Sequence, residues 1–418
     1  MLEDVIDVDR IQRRLDDVWA IGRTEEGGVT RLAYSEEERA AFEYLESELP
    51  GGYDVEHDSM GNLYATPSPD TDRTTLVGSH LDTVFNGGRL DGVLGVMVAL
   101  EAIQAVDAPI ADRGWAPTLA VFRGEESARF GQHTIGSRGA LAQLTVDDFS
   151  RTDQNDVPLW LAMQRVGLKP TDLSEPTIDL DRINRFYEVH IEQGRVLEAA
   201  EETLGVVTSI RAPVRYRVTV SGAYDHSGAT PMELRSDAVA AVARLITEVE
   251  RAATDDAAEE VVATVGDVAA HDGAINTVCG EVTFPLDVRS HDRSARARVE
   301  QDILDRFHEI ESVRDVSVEL EELDRTDPVR LDGDAVDALD AAVDSLGVPY
   351  RRMPSGGGHD AMNFQTAGVP TGMLFVPSID GVSHSPDEAT PTESIRTAAT
   401  ALAETLAAEG DRSRRGDA

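Results

Sequence analysis

Histidine and carboxylate side chains stand close together at four places in the chain. The clusters are GSHLDTVFNGGRLDG at 78–92, RGEE at 123–126, HIEQG at 190–194 and SHSP at 383–386. Three of the four follow segments that have the composition of buried strands. In open α/β sheets, ligands and catalytic groups collect beyond the carboxyl ends of the strands. We therefore expect these clusters to share one site.

Imidazoles and carboxylates without thiols suit Zn²⁺, Mn²⁺ or Co²⁺. An aspartate that can bridge, such as Asp91, allows two metal ions ~3.5–4 Å apart. His80 and Asp82 lie on one face of a strand, so Asp82 is placed to fix the tautomer of His80. Of the adjacent Glu125 and Glu126, one can bind metal while the other accepts a proton from an attacking water.

Each cluster also has an ordinary interpretation. A lone histidine is more often a hydrogen-bonding residue than a ligand, and a Glu-Glu pair among 78 acidic residues is typical of solvated surface. The glycine run 356–358 precedes no P-loop lysine and lacks dinucleotide spacing, so it favours close backbone approach to a ligand over phosphate binding. No cluster is specific on its own.

The segments around the clusters predict an α/β fold. A buried strand at 74–80, an apolar helix at 91–106 and a second strand at 117–126 alternate as in a largely parallel sheet with helices. Ser35 followed by Glu38 predicts a helix start with a capping box.

The middle of the chain differs, because its strands alternate apolar and polar residues. VRYRVTV at 214–220 is followed by an amphipathic helix whose apolar positions include Val239 and Val242, and the rest completes a β-α-β-β-α-β order. Metal-ligand candidates precede and follow this segment. We therefore predict an α+β domain at 211–327 inserted into a catalytic domain of residues 1–210 and 328–418.

Composition limits the partners. With 38 basic and 78 acidic residues the net charge is −40, which disfavours nucleic acid and anionic membranes. Lys169 is the only lysine, and this acidic, lysine-poor composition is similar to that of proteins from salt-accumulating cytoplasms. One cysteine, Cys279, excludes an intrachain disulfide. No signal-peptide pattern or membrane-spanning stretch is visible, so we expect a cytoplasmic protein.

The motifs occur together in an order that resembles a known family. GSHLDTVFNGGRLDGVLGV, EES, HIEQG, GAYDHSGATPM, LDVRS, SGGGHDA and SHSPDE, spread over residues 5–408, resemble the amidase/carbamoylase branch of the peptidase M20 family. That branch contains N-carbamoyl-L-amino-acid hydrolases, β-ureidopropionases and allantoate amidohydrolases.

The resemblance implies a role for each matching residue. Two divalent metal ions per subunit would be held by His80, bridging Asp91, Glu126, His190 and His384. The general base would be Glu125, and the histidine that stabilises the oxyanion would be His226. The substrate would be bound by Gln193, Asn276, Arg289, the Gly358 backbone and His359. The inserted domain would be a lid that forms a homodimer and supplies some residues to the neighbouring subunit's site.

The expected activity is hydrolysis of the carbamoyl C–N bond of an N-carbamoyl amino acid or a related ureido acid that carries a carboxylate. The alternatives are an allantoate amidohydrolase, a dipeptidase or aminoacylase of the wider family, and a non-catalytic metal-binding protein. Three positions depart from the usual pattern: Gly124 replaces a frequent Asn, Ser127 a frequent Gly, and Cys279 a usual Pro. We expect activity to survive these changes and Cys279 to pack rather than react.

Overall fold

The computed structural model describes residues 2–67, 71–110, 115–169, 175–255 and 261–415. It divides into two compact units. Unit 1 contains the chain up to Thr208 and again from Leu331, and unit 2 is Ser209–Arg330.

Unit 1 is built on a mixed sheet whose centre is parallel. With strands numbered along the whole chain, its members are β1 Asp54–His57, β2 Leu63–Thr66, β3 Arg73–His80, β4 Trp115–Phe122, β5 Ile183–Ile191, β6 Leu204–Ile210, β15 Tyr350–Ser355 and β16 Thr371–Val376. The strand order is β1-β2-β4-β3-β5-β16-β6, and β15 pairs with β6. The central strands β4, β3, β5 and β16 are parallel to one another. The predicted mainly parallel sheet is confirmed.

Helices flank this sheet. They are α1 Val8–Trp19, α2 Glu36–Glu48, α3 Val93–Ile110, α4 Ile135–Ala140, α5 Val146–Ser150, α6 Leu159–Arg165, α7 Val196–Ala199, α10 Gly333–Ser345, α11 Asp360–Thr366 and α12 Thr392–Arg415. Helix α3 packs against β3, β4 and β5, and α10, α11 and α12 pack against β16. Since α3 begins two residues after Asp91, its packing holds that residue near the ends of the central strands.

Unit 2 is an antiparallel α+β domain. Its elements are β7 Ala212–Ser221, β8 Asp225–His226, α8 Ala238–Asp255, β9 Val262–Val265, β10 Ala269–Ala270, β11 Thr277–Val278, β12 Glu281–Ser290, α9 Arg293–Arg314, β13 Ser317–Arg325 and β14 Val329–Arg330. The main sheet has the order β10-β12-β7-β13, β9 pairs with β12, and β8 pairs with β11. Its core joins the inward faces of the strands with those of α8 and α9.

The first and last residues of unit 2 lie side by side. Ser209 and Ile210 at the end of β6 pair antiparallel with Arg330 and Val329 of β14. On the unit 1 side, the backbone N–H of Leu331 donates to the carbonyl of Thr208 over 3.0 Å. The two chain segments that join unit 1 to unit 2 are therefore hydrogen-bonded neighbours.

Two local details differ from the sequence pattern. Ser35 caps α2 by accepting from the backbone N–H of Glu38, but the Glu38 carboxylate accepts from Tyr34 N–H and from the Arg123 guanidinium. The capping box is therefore only half formed, because Glu38 is buried and has a stronger, charged partner. Val239, predicted on the apolar face of α8, is exposed, and Ala238, Ala241 and Val242 take that face.

Cys279 is a free thiol buried in the core of unit 2, where it packs as expected. Among the described residues, no helix combines the length and apolar composition needed to cross a bilayer.

The net charge of −40 predicts that salt stabilises the fold. At ~1 M salt the Debye length falls to ~3 Å, so repulsion among surface carboxylates is screened. We expect the thermal unfolding midpoint to rise by several degrees between 0.1 and 1 M KCl, measured by circular dichroism. Sucrose, a neutral stabiliser, is the control for preferential exclusion. A midpoint that is flat or falling in KCl would contradict the salt-adaptation interpretation.

Candidate metal centre

The ends of the parallel strands gather the histidines and carboxylates at one edge of the unit 1 sheet. His80 ends β3, Glu125 and Glu126 follow β4, and His190 is the penultimate residue of β5. Residue His384 lies in the segment after β16. Because β4, β3, β5 and β16 are sheet neighbours with the same direction, their carboxyl ends meet.

The first of two ligand groups contains His80, His190 and Asp91, all buried. The His190 Nε2 atom lies 3.1 Å from Asp91 Oδ1 and 3.4 Å from His80 Nε2. The His80 Nε2 atom lies 3.6 Å from the same Asp91 oxygen. Three potential ligand atoms therefore face one point.

The second group contains His384, Glu126 and again Asp91. The His384 Nε2 atom lies 3.3 Å from Glu126 Oε1 and 3.5 Å from Asp91 Oδ2. Asp91 thus presents one oxygen to each group, which is the arrangement of a bridging carboxylate.

The hydrogen bonds of the two buried histidines assign their tautomers. His80 Nδ1 lies 3.1 Å from the carbonyl oxygen of Asp82, and His190 Nδ1 lies 2.9 Å from that of Ile191. A carbonyl only accepts, so each Nδ1 carries the hydrogen and each neutral ring has its lone pair on Nε2. With both rings neutral, these two lone pairs and Asp91 Oδ1 converge on one point.

This donor set fits divalent metal ions. The converging atoms are imidazole nitrogens and carboxylate oxygens, which Zn²⁺, Mn²⁺ and Co²⁺ accept. The buried Glu126 Oε1 atom accepts no hydrogen bond from the described residues, which leaves it available to a cation. Without metal, the carboxylates of Glu125 and Asp82 outweigh burial and raise the pKa of His80 well above its usual value, so a positive charge is favoured here.

Asp82 connects the first group to the glutamate pair. Its two oxygens accept from the backbone N–H groups of Glu125 and Glu126, each over 3.0 Å. Its Oδ1 atom also lies 3.4 Å from His80 Nδ1. One buried carboxylate therefore orients a ligand from β3 and the backbone of both glutamates after β4.

Glu125 lies beside the first group, with its Oε2 atom 3.7 Å from His80 Nε2. It is 7% exposed, so the expectation of solvated surface for the pair fails. Burial raises the pKa of its carboxyl well above the usual value, and the charges of Glu126, Asp360 and Asp82 add to this effect. A carboxylate in this setting binds a proton readily.

Gly124, before the pair, adopts a φ of +64°. Gly and Asn are the residues that enter this left-handed region most readily, which explains in physical terms why one can replace the other here. Ser127 is exposed and only its carbonyl takes part in the turn, by accepting from Gly131 N–H.

The substrate-binding candidates of unit 1 lie next to the ligand groups. The Gln193 side-chain amide donates to Asp91 Oδ2 over 2.7 Å. His359 is buried with its ring 4.6 Å from that of His190, and its Nε2 atom bonds to Ser355. Burial lowers its pKa well below the usual value, so this ring is neutral. Gly358 precedes it, and a Cβ there would meet Met362 Sδ at 3.3 Å.

The remaining candidates lie in unit 2. Two of them are neighbours: β8 and β11 pair His226 with Thr277, and the Asn276 carbonyl accepts from Ser227 N–H. His226 is exposed, and its Nδ1 atom accepts from the backbone N–H groups of Gly228 and Ala229, each over 3.1 Å. The hydrogen of the neutral ring is therefore on Nε2.

Arg289 on β12 makes a two-point ion pair. Its Nε and Nη2 atoms donate to the Asp287 carboxylate over 2.8 and 3.1 Å, and Arg215 donates to the same carboxylate. The pairing lowers the pKa of Asp287 although partial burial opposes it. An ion pair at this position is the ordinary expectation for an arginine in an acidic protein.

Two residues at the site were not predicted from sequence. Ser383 donates its hydroxyl to Asp91 Oδ2 over 2.9 Å. Glu388 is 5% exposed and accepts hydrogen bonds from backbone groups of the 90–91 and 384 segments. The only sequence signal for Glu388 was its position in SHSPDE, four residues after the ligand candidate His384.

Comparison with known proteins identifies the family of the chain. The sequence profile of peptidase family M20/M25/M40 matches residues 76–408. The chain belongs to this family. It is accordingly a hydrolase, and the M20 resemblance inferred from the motifs is confirmed.

Relatives and solved structures match along almost the whole chain. An N-carbamoyl-L-amino acid amidohydrolase from Geobacillus stearothermophilus is 36% identical over 96% of this chain and 98% of its own length. An allantoate amidohydrolase from Bacillus subtilis is 33% identical over 92% of this chain and 93% of its own. A crystal structure of a hydantoinase/carbamoylase family amidase from Burkholderia multivorans has a TM-score of 0.89 and 30% identity, covering 97% of this chain and 98% of that one.

The contacts of Asp82 predict an indirect effect on metal binding. Replacing Asp82 by Asn removes an acceptor from the Glu125 and Glu126 amides and from the His80 edge. Loss of such partners of a metal ligand weakens binding ~10–100-fold. Titration of the metal-free protein with Zn²⁺ against a competing chelator measures this loss. Asp54→Asn, at an exposed position of β1, is the matched control, and equal affinity in both variants would refute the role.

Proposed function

We propose that this protein is a binuclear metal-dependent amidohydrolase that cleaves the carbamoyl C–N bond of an N-carbamoyl amino acid or related ureido acid. The observation that carries the proposal is Asp91, which offers one oxygen to each of two histidine–carboxylate groups beside Glu125. The 36% identity to an N-carbamoyl-L-amino acid amidohydrolase, over nearly the full length of both chains, supports the bond that is cleaved. With one water consumed, the products are the amino acid, ammonia and CO₂.

Five residues would hold the metal ions. His80 and His190 would bind one ion, His384 and Glu126 the other, and Asp91 would bridge them. Bound divalent ions, whether Zn²⁺, Mn²⁺ or Co²⁺, would polarise the carbamoyl oxygen and lower the pKa of an attacking water.

Glu125 would move the proton. Its carboxylate accepts a proton from the attacking water and returns it to the leaving nitrogen, as a general base and then a general acid. Burial raises its pKa, which stabilises the protonated form between the two transfers.

His226 would stabilise the oxyanion. Its Nδ1 atom is already occupied by two backbone donors, so Nε2–H is the group that can donate to developing negative charge. The ring would act either in its own subunit or in the neighbouring subunit of a homodimer formed through the lid domain of residues 211–327.

Arg289 and Asn276 would bind the substrate carboxylate, and Gln193, the Gly358 backbone and His359 its amide. A guanidinium matches a carboxylate at two points, which would orient the substrate for the reaction. The substrate would share Arg289 with Asp287, which has a second arginine partner in Arg215.

An allantoate amidohydrolase is the second candidate, because a relative of that name matches at 33% identity over 92% of the chain. A dipeptidase or aminoacylase, and a non-catalytic metal-binding protein, are less favoured. Intact Glu125 and five converging ligands argue against the non-catalytic case. We propose a cytoplasmic location.

A substrate panel separates these candidates. Metal-free protein is loaded in turn with Mn²⁺, Zn²⁺ and Co²⁺ in molar KCl, and ammonia release is measured from N-carbamoyl-β-alanine, several N-carbamoyl-L-α-amino acids and allantoate. A dipeptide serves as the control substrate, and its cleavage is measured by the release of free amino acids. We expect turnover of one carbamoyl class and none of the dipeptide. Turnover of allantoate alone would select the second candidate, and cleavage of the dipeptide alone would overturn the proposal.

Replacing Glu125 by Gln tests the base. The amide keeps the shape of the side chain but cannot accept the proton, so we expect kcat to fall by ~10²–10⁴-fold while metal content is unchanged. Metal is counted by atomic emission, and Glu37→Gln at an exposed position of α2 is the control. Activity near that of the parent would rule out Glu125 as the base.

A further inference from the structure

Glu388 connects two segments that are far apart in the chain. Its Oε2 atom accepts from the backbone N–H groups of Leu90 and Asp91, over 3.0 and 3.2 Å. Its Oε1 atom accepts from the backbone N–H of His384, over 2.9 Å. The carboxylate therefore holds the backbone of the bridging aspartate and of the exposed histidine ligand at the same time.

This carboxylate is buried at a place where burial is costly. Burial and the nearby negative charge of Asp91 together raise its pKa to about 7. Three backbone donors compensate part of that cost. Gly88 leaves the space that it needs, because a Cβ there would lie 2.0 Å from Glu388 Cδ and Oε2. Both residues are thus constrained by the contact.

His384 is the ligand candidate that most needs such support. Its side chain is 48% exposed, whereas those of His80 and His190 are buried. Its backbone has a φ of +55°, in the left-handed region that a histidine enters at a cost. Beyond it the turn closes with Glu388 N–H donating to the Ser385 carbonyl. The hydrogen bond from His384 N–H to the buried Glu388 carboxylate stabilises the backbone of His384 in this conformation.

We propose that Glu388 is a positioning residue. By holding the backbone of Asp91 and of His384, it places their side chains so that the group of His384, Glu126 and Asp91 can bind a metal ion. The inference rests on the proposed function only in taking these residues as metal ligands. It assigns a specific consequence to the loss of Glu388: the ion of the His384 group binds more weakly, while the ion between His80 and His190 is retained.

The test is Co²⁺ titration of the metal-free protein, followed by the visible d–d absorbance and by direct counting of bound cobalt. Glu388→Gln keeps the size of the side chain but places an amide NH₂ against at least one backbone donor. We expect the weaker Co²⁺ affinity to fall ~10–100-fold and the stronger to stay unchanged. Asp387→Asn is the matched control, since it removes the adjacent, exposed carboxylate, whose side chain makes no hydrogen bond to described residues.

A second variant tests the same role independently, in case Glu388→Gln does not fold. Gly88→Ala leaves the charge of Glu388 in place but pushes its carboxylate away, and we expect the same selective loss. Co²⁺ affinities equal to the parent's in both variants would overturn the inference. So would a lower unfolding temperature of the metal-free variants with unchanged affinity of the folded protein, because Glu388 would then serve folding alone.

The experiment distinguishes failure of the positioning role from failure of the proposed function. A parent that binds no Co²⁺ overturns both. A parent that binds two ions but hydrolyses no ureido substrate, with one ion weakened by Glu388→Gln, sustains the positioning role and overturns only the proposed reaction.

Discussion

The candidate metal centre depends on one electrostatic constraint: imidazole nitrogens and carboxylate oxygens converge at a buried point, where a positive charge between them is favoured. His80 and His190 donate their Nδ1 hydrogens to carbonyl groups, so the Nε2 atoms of both rings face Asp91 Oδ1. Such an arrangement is repulsive until a positive charge enters it. The surrounding contacts, from the α3 packing to the bonds of Asp82, hold these atoms in place against that repulsion.

The same constraint explains why the neighbouring carboxylates are themselves so heavily bonded. Asp82 accepts two backbone N–H groups and Glu388 accepts three. Backbone donors compensate buried negative charge without placing a charged side chain at the site. A lysine or arginine as the partner of either carboxylate would place a positive charge beside a bound metal ion.

Much of this arrangement could be predicted from the sequence, because parallel strands bring their carboxyl ends to one edge. The positions of His80, the Glu125–Glu126 pair and His190 followed from three strand ends and short spacing. Glu388 could not be found in this way, since its place in SHSPDE alone does not separate it from the other acidic residues among 78. The capping box was predicted only in part: Ser35 caps α2 as expected, but the Glu38 carboxylate instead binds Arg123, a buried arginine distant in sequence. Partners chosen by tertiary packing leave no periodic signal.

The pairing of Ser209 and Ile210 with Arg330 and Val329 has a consequence for how such a protein can change during evolution. Because unit 2 begins and ends at adjacent residues, and Thr208 and Leu331 are themselves hydrogen-bonded, a short turn could replace the whole segment without rethreading the sheet of unit 1. The metal centre, whose five ligand candidates all belong to unit 1, would keep every strand that positions it. The connectivity of residues 209–330 would therefore allow this segment to be exchanged as a unit without changing the strands that hold the ligand candidates.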